Sequence, residues 1–262
     1  MSKFVFFVVI SVPLNALGEW TPPSNPDPEK ILNEARNDAR AGRLEEALSK
    51  HLWFHEHALD YVPSLYGVRL TTALTDWHDL GEAYPPAMEK LEETRDASRR
   101  KVIEGTEELR LSFREVRSIN KLLDHEAQTA ALFEELDKNK SDVAREVYDI
   151  AQPALVKAEK YALCGKYLVP NEAYERTVTL LELNREQAEE LKSPLDRRDR
   201  LDYAERTFIE DAATLVGLLV LNEQKPKAVE IADDARGKSK HLESNAILDA
   251  ALEGRLPTCR SR

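Results

Sequence analysis

The sequence predicts an all-α fold in which antiparallel helix hairpins stack side by side as an α-solenoid. Three observations carry this. Apolar residues recur at helical spacing through most of the 262 residues. Stops at Gly42, Pro63, Pro85, Gly105 and Pro170 interrupt that pattern, which excludes one continuous coiled coil and leaves medium helices joined by short turns. No alternating apolar–polar run is longer than a few residues, and aromatics at 7% argue against an all-β sandwich. With 42% hydrophobic residues the chain can build a packed core, so whole-chain disorder is excluded.

The N-terminus reads as an export signal. Residues 1–18 are MSKFVFFVVISVPLNALG. Lys3 gives a positive start, Phe4 to Leu14 is almost wholly apolar, and Ala16 and Gly18 are small residues at the third and first places before a cut. The run is shorter than the roughly 20 residues that span a bilayer. No Cys follows it, so lipid anchoring at the cut is not expected. The mature chain then starts at Glu19, is periplasmic or secreted, and has no transmembrane segment.

Residues 19–26 open an extended lead-in, and the stretch 19–28 holds four of the 13 prolines, which remove donors and fix φ. A helical domain follows over 27–257, with a flexible tail at 258–262. Asp27-Pro28-Glu29 is a helix start, with an N-cap acid, proline in the first turn and a further acid at the positive dipole end. Ile31 and Ala35 continue that helix and Gly42 stops it. The next runs from about 44 to 59, with an apolar seam of Leu44, Ala47, Leu48, His51, His55, Ala58 and Leu59, until Pro63 breaks it. A third covers 64–84, and Pro85-Pro86 separates it from a fourth starting near Ala87. Further helices are expected at about 106–122, 124–137, 141–163, 171–192, 194–222, 226–240 and 243–253. Ser141-Asp142 and Ser193-Pro194 read as caps, and Asp137 to Ser141 as a polar loop.

Within the third helix stands Trp77-His-Asp-Leu80-Gly81-Glu-Ala-Tyr84, the pattern W-x2-L-G-x2-Y. Trp77, Leu80 and Tyr84 share a helical stripe that fills the groove of a partner helix, and Gly81 lets that partner approach. Gly42 to Ala47 pairs a turn glycine with a small residue five places on. Ala228, Ala232 and Ala235 form a ladder of small residues, preceded by Leu215, Val216 and Leu219. On these residues the chain resembles a divergent tetratricopeptide-like protein over about 28–104 and 208–240. Pro85-Pro86 shorten the turn after Tyr84, so the second half of that repeat departs from the family pattern. The middle of the chain is helical but matches no part of the consensus.

The resemblance implies a scaffold that holds a peptide or partner helix in a groove lined by first helices. One subclass of the family clamps a terminal carboxylate with Lys and Asn one turn apart. Here those places hold His78 and Glu82, and Glu82 repels a carboxylate. The formal net charge of −11 suits a basic or apolar partner and weighs against nucleic acid.

His51 and His55 share a helix face and are the candidate metal pair, although H-E-x-x-H is absent because residue 52 is Leu. Their place in the apolar seam equally fits inter-helix packing. Asp76, His78 and Asp79 flank Trp77 without the geometry of a base and its orienter, because sequence neighbours on a helix do not face each other. Arginines 95, 99 and 100, and again 197, 198 and 200, alternate with acids as salt-bridged surface. Cys164 and Cys259 are the candidate disulfide, with Gly165 as a helix C-cap beside Cys164. No cofactor is expected: the chain has no Walker loop, Rossmann fingerprint or Cys-x-x-Cys. The function expected is an exported, non-enzymatic scaffold for a protein or peptide partner. The alternatives are an exported metal-binding protein or hydrolase using His51 and His55, and a self-assembling envelope protein.

Overall fold

The computed structural model describes residues 20–257, so the expected signal segment, the expected tail and Cys259 lie outside the described residues. Within 20–257 the protein is all-helical, with no strand. None of its helices is long and apolar enough to cross a membrane. The packing divides at Ser98/Arg99 into two compact units.

The first unit holds α1 (Pro28–Arg40), α2 (Leu44–Tyr61), a 3₁₀ turn (Pro63–Leu65), α3 (Tyr66–Leu70), α4 (Thr72–Ala83) and the first part of α5 (Pro85–Glu104). The Asp27 side chain accepts from the Lys30 amide at 3.2 Å, with Pro28 at the first helical place, as its cap sequence requires. Ile31 and Leu32 of α1 meet Trp53, Phe54 and Ala58 of α2 in one core that also takes in Leu65 and Ala73. Helix α2 packs on α1 and α4, and α1 also touches α4.

The second unit holds the end of α5, then α6 (Leu109–Leu122), α7 (Glu126–Asn139), α8 (Ser141–Lys157), α9 (Tyr161–Tyr167), α10 (Pro170–Glu189), α11 (Pro194–Leu221), α12 (Lys225–Lys238) and α13 (Ser244–Leu252). Helices α6, α7 and α8 touch pairwise, as do α11, α12 and α13. Helix α11 is the hub, packing on α9, α10, α12 and α13. That is why Ala212 to Leu219 is apolar on nearly every side: a helix surrounded by others has almost no solvent face.

Two expected helices are broken. The 64–84 helix becomes a 3₁₀ turn and two helices, because the Thr71 hydroxyl donates to the Gly67 carbonyl at 2.7 Å and takes the acceptor that a continuing helix needs. The 141–163 helix ends at Lys157, and Glu159 turns the chain with φ 56. Helix α5 starts at Pro85, and Tyr84 is the extended C-cap of α4 instead of a further helical residue. Gly165 is not a C-cap. It lies inside α9, where a Cβ would stand 2.0 Å from Oδ1 of Asn222, so its role is close helix approach. Ser193 caps α11 at the Asp196 amide, whereas Ser141 is already helical. Lys140 stands before it, and its Nζ donates to the Ile103 carbonyl at 2.5 Å, satisfying the end of α5.

One turn recurs. Gly42, Asp124, Glu159 and Glu223 each sit in the middle of a three-residue link between two helices, with φ 77, 55, 56 and 62. In each link the residue after the left-handed one donates back to the carbonyl five places earlier: Arg43 to Asp38, His125 to Asn120, Lys160 to Leu155 and Gln224 to Leu219. The left-handed residue itself donates three places back in all four. This is the Schellman arrangement, so α1–α2, α6–α7, α8–α9 and α11–α12 are hairpins of one design.

Candidate functional site

The hairpins share more than their turns. Five places after the left-handed residue stand Ala47, Thr129, Cys164 and Ala228, each with 0% of its surface exposed. Eleven places before it stand Ile31, Phe113, Tyr148 and Ala212, and four before it Asp38, Asn120, Leu155 and Leu219, all buried. A small side chain at the first set lets the returning helix close on its partner, and the other two sets fill the space between them. Ala232 and Ala235 continue the face begun by Ala228, also at 0%.

The strongest sequence motif sits where this turn is missing. Trp77 is 1% exposed, and its Nε1 donates to the Ala87 carbonyl at 2.9 Å. Leu80 is buried, and a Cβ on Gly81 would stand 3.1 Å from the Met88 backbone nitrogen. Pro85 and Pro86 begin α5 directly, and Tyr84 is only half-buried.

His51 and His55 both face Trp77. The His51 ring stacks on the indole at 6.4 Å between centroids, and His55 meets it edge-on at 5.6 Å. Burial lowers the His51 pKa to about 4, against an opposing pull from Asp76, so the ring is neutral at pH 7. Asp76 itself pairs with Arg36 at 2.7 Å and does not orient His78. The Arg69 guanidinium reaches His55 Nε2 at 3.0 Å and also donates to the His55 carbonyl at 2.6 Å. Nε2 therefore accepts from a cation and is not free to bind a metal ion. Among the described residues, no group of three His, Cys, Asp or Glu side chains is placed to hold a metal ion.

A buried ion cluster ties α1 to α2. Asp38 accepts from Lys50 Nζ at 2.5 Å and from Arg43 Nε at 2.9 Å, and Lys50 also pairs with Glu34 at 3.2 Å. Burial works to raise the Asp38 pKa, but the hydrogen bonds from Lys50 and Arg43 hold it below the usual carboxylate value. Its sequence signal was an acid and a lysine on the buried faces of two consecutive helices.

Cys164 lies in the first turn of α9, not at a helix C-terminus, and burial pushes its thiol up to about 11. It is unsuited to nucleophilic work, and its proposed partner Cys259 falls outside the described residues. A cleft of about 330 Å³ opens between α10 and α12, and two polar pairs close within it. Tyr174 donates to Asp234 at 2.7 Å, and Lys227 to Glu230 at 2.6 Å.

The fold and these packing faces define an all-helical protein built on αα-hairpins of a common design. Comparison with family models, with curated proteins and with solved structures finds no match.

Proposed function

We propose that the protein is an exported, non-enzymatic scaffold that holds a protein or peptide partner on stacked, tetratricopeptide-like hairpins. The carrying observation is the hairpin design itself: one three-residue link used four times, each followed five places after its left-handed residue by a fully buried small residue. Helix contacts to the next element and the one after, as in α6–α7–α8 and α11–α12–α13, support stacking of the same kind. Buried histidines committed to packing and a high-pKa thiol favour binding over chemistry. Affinity capture tests the reading, with residues 19–262 as bait in the native envelope or secreted extract and mass spectrometry as readout. One partner recovered at near-stoichiometric yield by the folded bait supports the scaffold. A folded bait that recovers none, beside turnover of a small molecule by the same protein, overturns it.

A further inference from the structure

We infer that the outer face of α10 is the docking surface for a basic amphipathic helix, a reading that rests on the scaffold role and names its partner's chemistry. Helix α10 has two seams. The inner one packs on α11 through Leu181, at 2% exposure, and Ala188, at 0%. On that side Tyr174 meets Phe208 and Arg185 donates to Glu205. The outer one is Arg176, Leu180, Leu183 and Gln187, spaced four, three and four apart, while Val169 caps the helix in extended backbone and Ala173 packs against the core. That is the heptad spacing with which one helix receives another. The N-terminal end of this seam borders α8, where Arg176 approaches Asp149 at 3.8 Å. Beyond it the seam is open, and Leu180 and Leu183 are each 46% exposed.

The charge beside the seam chooses the partner. Glu175, Glu182 and Glu189 repeat every seven residues, and Glu172 and Glu186 form a second row at the seam's edge. All five are exposed, and none has an ion-pair partner among the described residues. Glutamates three or four apart repel along a helix and disfavour it. A cationic helix laid on the leucines relieves that repulsion and covers the apolar stripe together. A second copy of this chain does the opposite, because it would bring the same glutamate rows face to face. From Arg176 to Gln187 the seam runs about 17 Å at about 1.5 Å per residue, enough for about three turns of partner.

The test uses the full chain and two synthetic 21-residue helical peptides, read by fluorescence anisotropy. Both peptides carry leucines at the seam spacing. One has lysines along its edges, the other glutamates. The lysine peptide is expected to bind, and the glutamate twin at least tenfold more weakly. Leu180→Ser/Leu183→Ser and Glu182→Lys/Glu186→Lys should each weaken the lysine peptide at least tenfold, with a cooperative melt retained because none of the four side chains is buried in the core. Equal binding of the two peptides, no binding of either, or full binding to the serine variant overturns the proposal. So does a wild-type dimer that the serine variant turns into monomer, since a second copy would then own the face. If the serine variant still recovers the native partner, the scaffold reading stands and this surface is removed from it.

Discussion

At the scale of single residues, the most informative side chain is Trp77. Its indole is buried between two histidine rings and donates to the Ala87 carbonyl. Trp77→Ala removes that volume and leaves the carbonyl without its donor, so a loss of about 3 to 5 kcal/mol is expected in urea denaturation. A loss under about 1 kcal/mol would show that the ring is dispensable to α4 and α5. His51 gives a pH-dependent counterpart. Above pH 6.5 it is neutral in folded and unfolded chains alike. Between about 6.5 and 4 the unfolded chain binds a proton that the buried ring refuses. Stability therefore falls as pH drops through that window, by up to about 3 kcal/mol, and this contribution levels off below it. His51→Phe keeps an aromatic ring against Trp77 and should flatten the loss. An equally steep fall in the variant would assign it to other groups.

The hairpin turns set the argument for elements. A left-handed residue with a side chain costs about 1 to 2 kcal/mol, less for Asp than for Glu. Glycine removes that cost but adds freedom to the unfolded chain. Glu159→Gly and Glu223→Gly are therefore expected to stabilise by a few tenths to about 1 kcal/mol, and Asp124→Gly by less. Gly42→Ala should destabilise by about 1 kcal/mol, from conformation alone, since a Cβ there meets nothing within 4 Å. Thermal melts of the four variants give the order directly, and a stabilised Gly42→Ala would break the argument. Gly165 is the opposite case. Its backbone is helical and only space is short, so Gly165→Ala should cost about 1 to 3 kcal/mol. Part of that cost should return when Asn222→Ala removes the opposing side chain, although Asn222 also donates to the Tyr161 carbonyl at 3.0 Å. These turns explain what the sequence concealed. Gly42 announced its link because glycine is the usual left-handed residue. Asp124, Glu159 and Glu223 carry no such mark, and the apolar spacing runs through the α8–α9 break as if one helix continued. Nor did Thr129 and Cys164 look like rungs of one ladder, because smallness and burial, not residue type, make them equivalent. In contrast, the Trp77 motif stood out in the sequence, yet Pro85 denies it the shared turn.

For the whole molecule, helix content was legible because 3.6-residue periodicity needs no partner to be visible, whereas the order of packing was not. Which helix becomes the hub depends on the all-round apolar run Ala212 to Leu219, and a run of that kind reads equally as a long amphipathic helix until its neighbours are known. The docking face on α10 was hidden for a related reason: two seams on one helix blur a single period, and Leu180 beside Leu181 suggests one broad apolar side. The proposed export would act on the chain before any of this packing forms. The segment before Glu19 has a charge, an apolar run and small residues at 16 and 18, the features a signal peptidase reads. Intact-mass measurement on protein from its native source should find Glu19 as the first residue. Ala16→Arg puts a long cation at the third place before the cut, where a small side chain must fit, and should leave the precursor unprocessed and membrane-held. Recovery of native protein that retains Met1 or Ser2, or normal processing of the arginine variant, would remove export from the proposed role while leaving the hairpin design untouched.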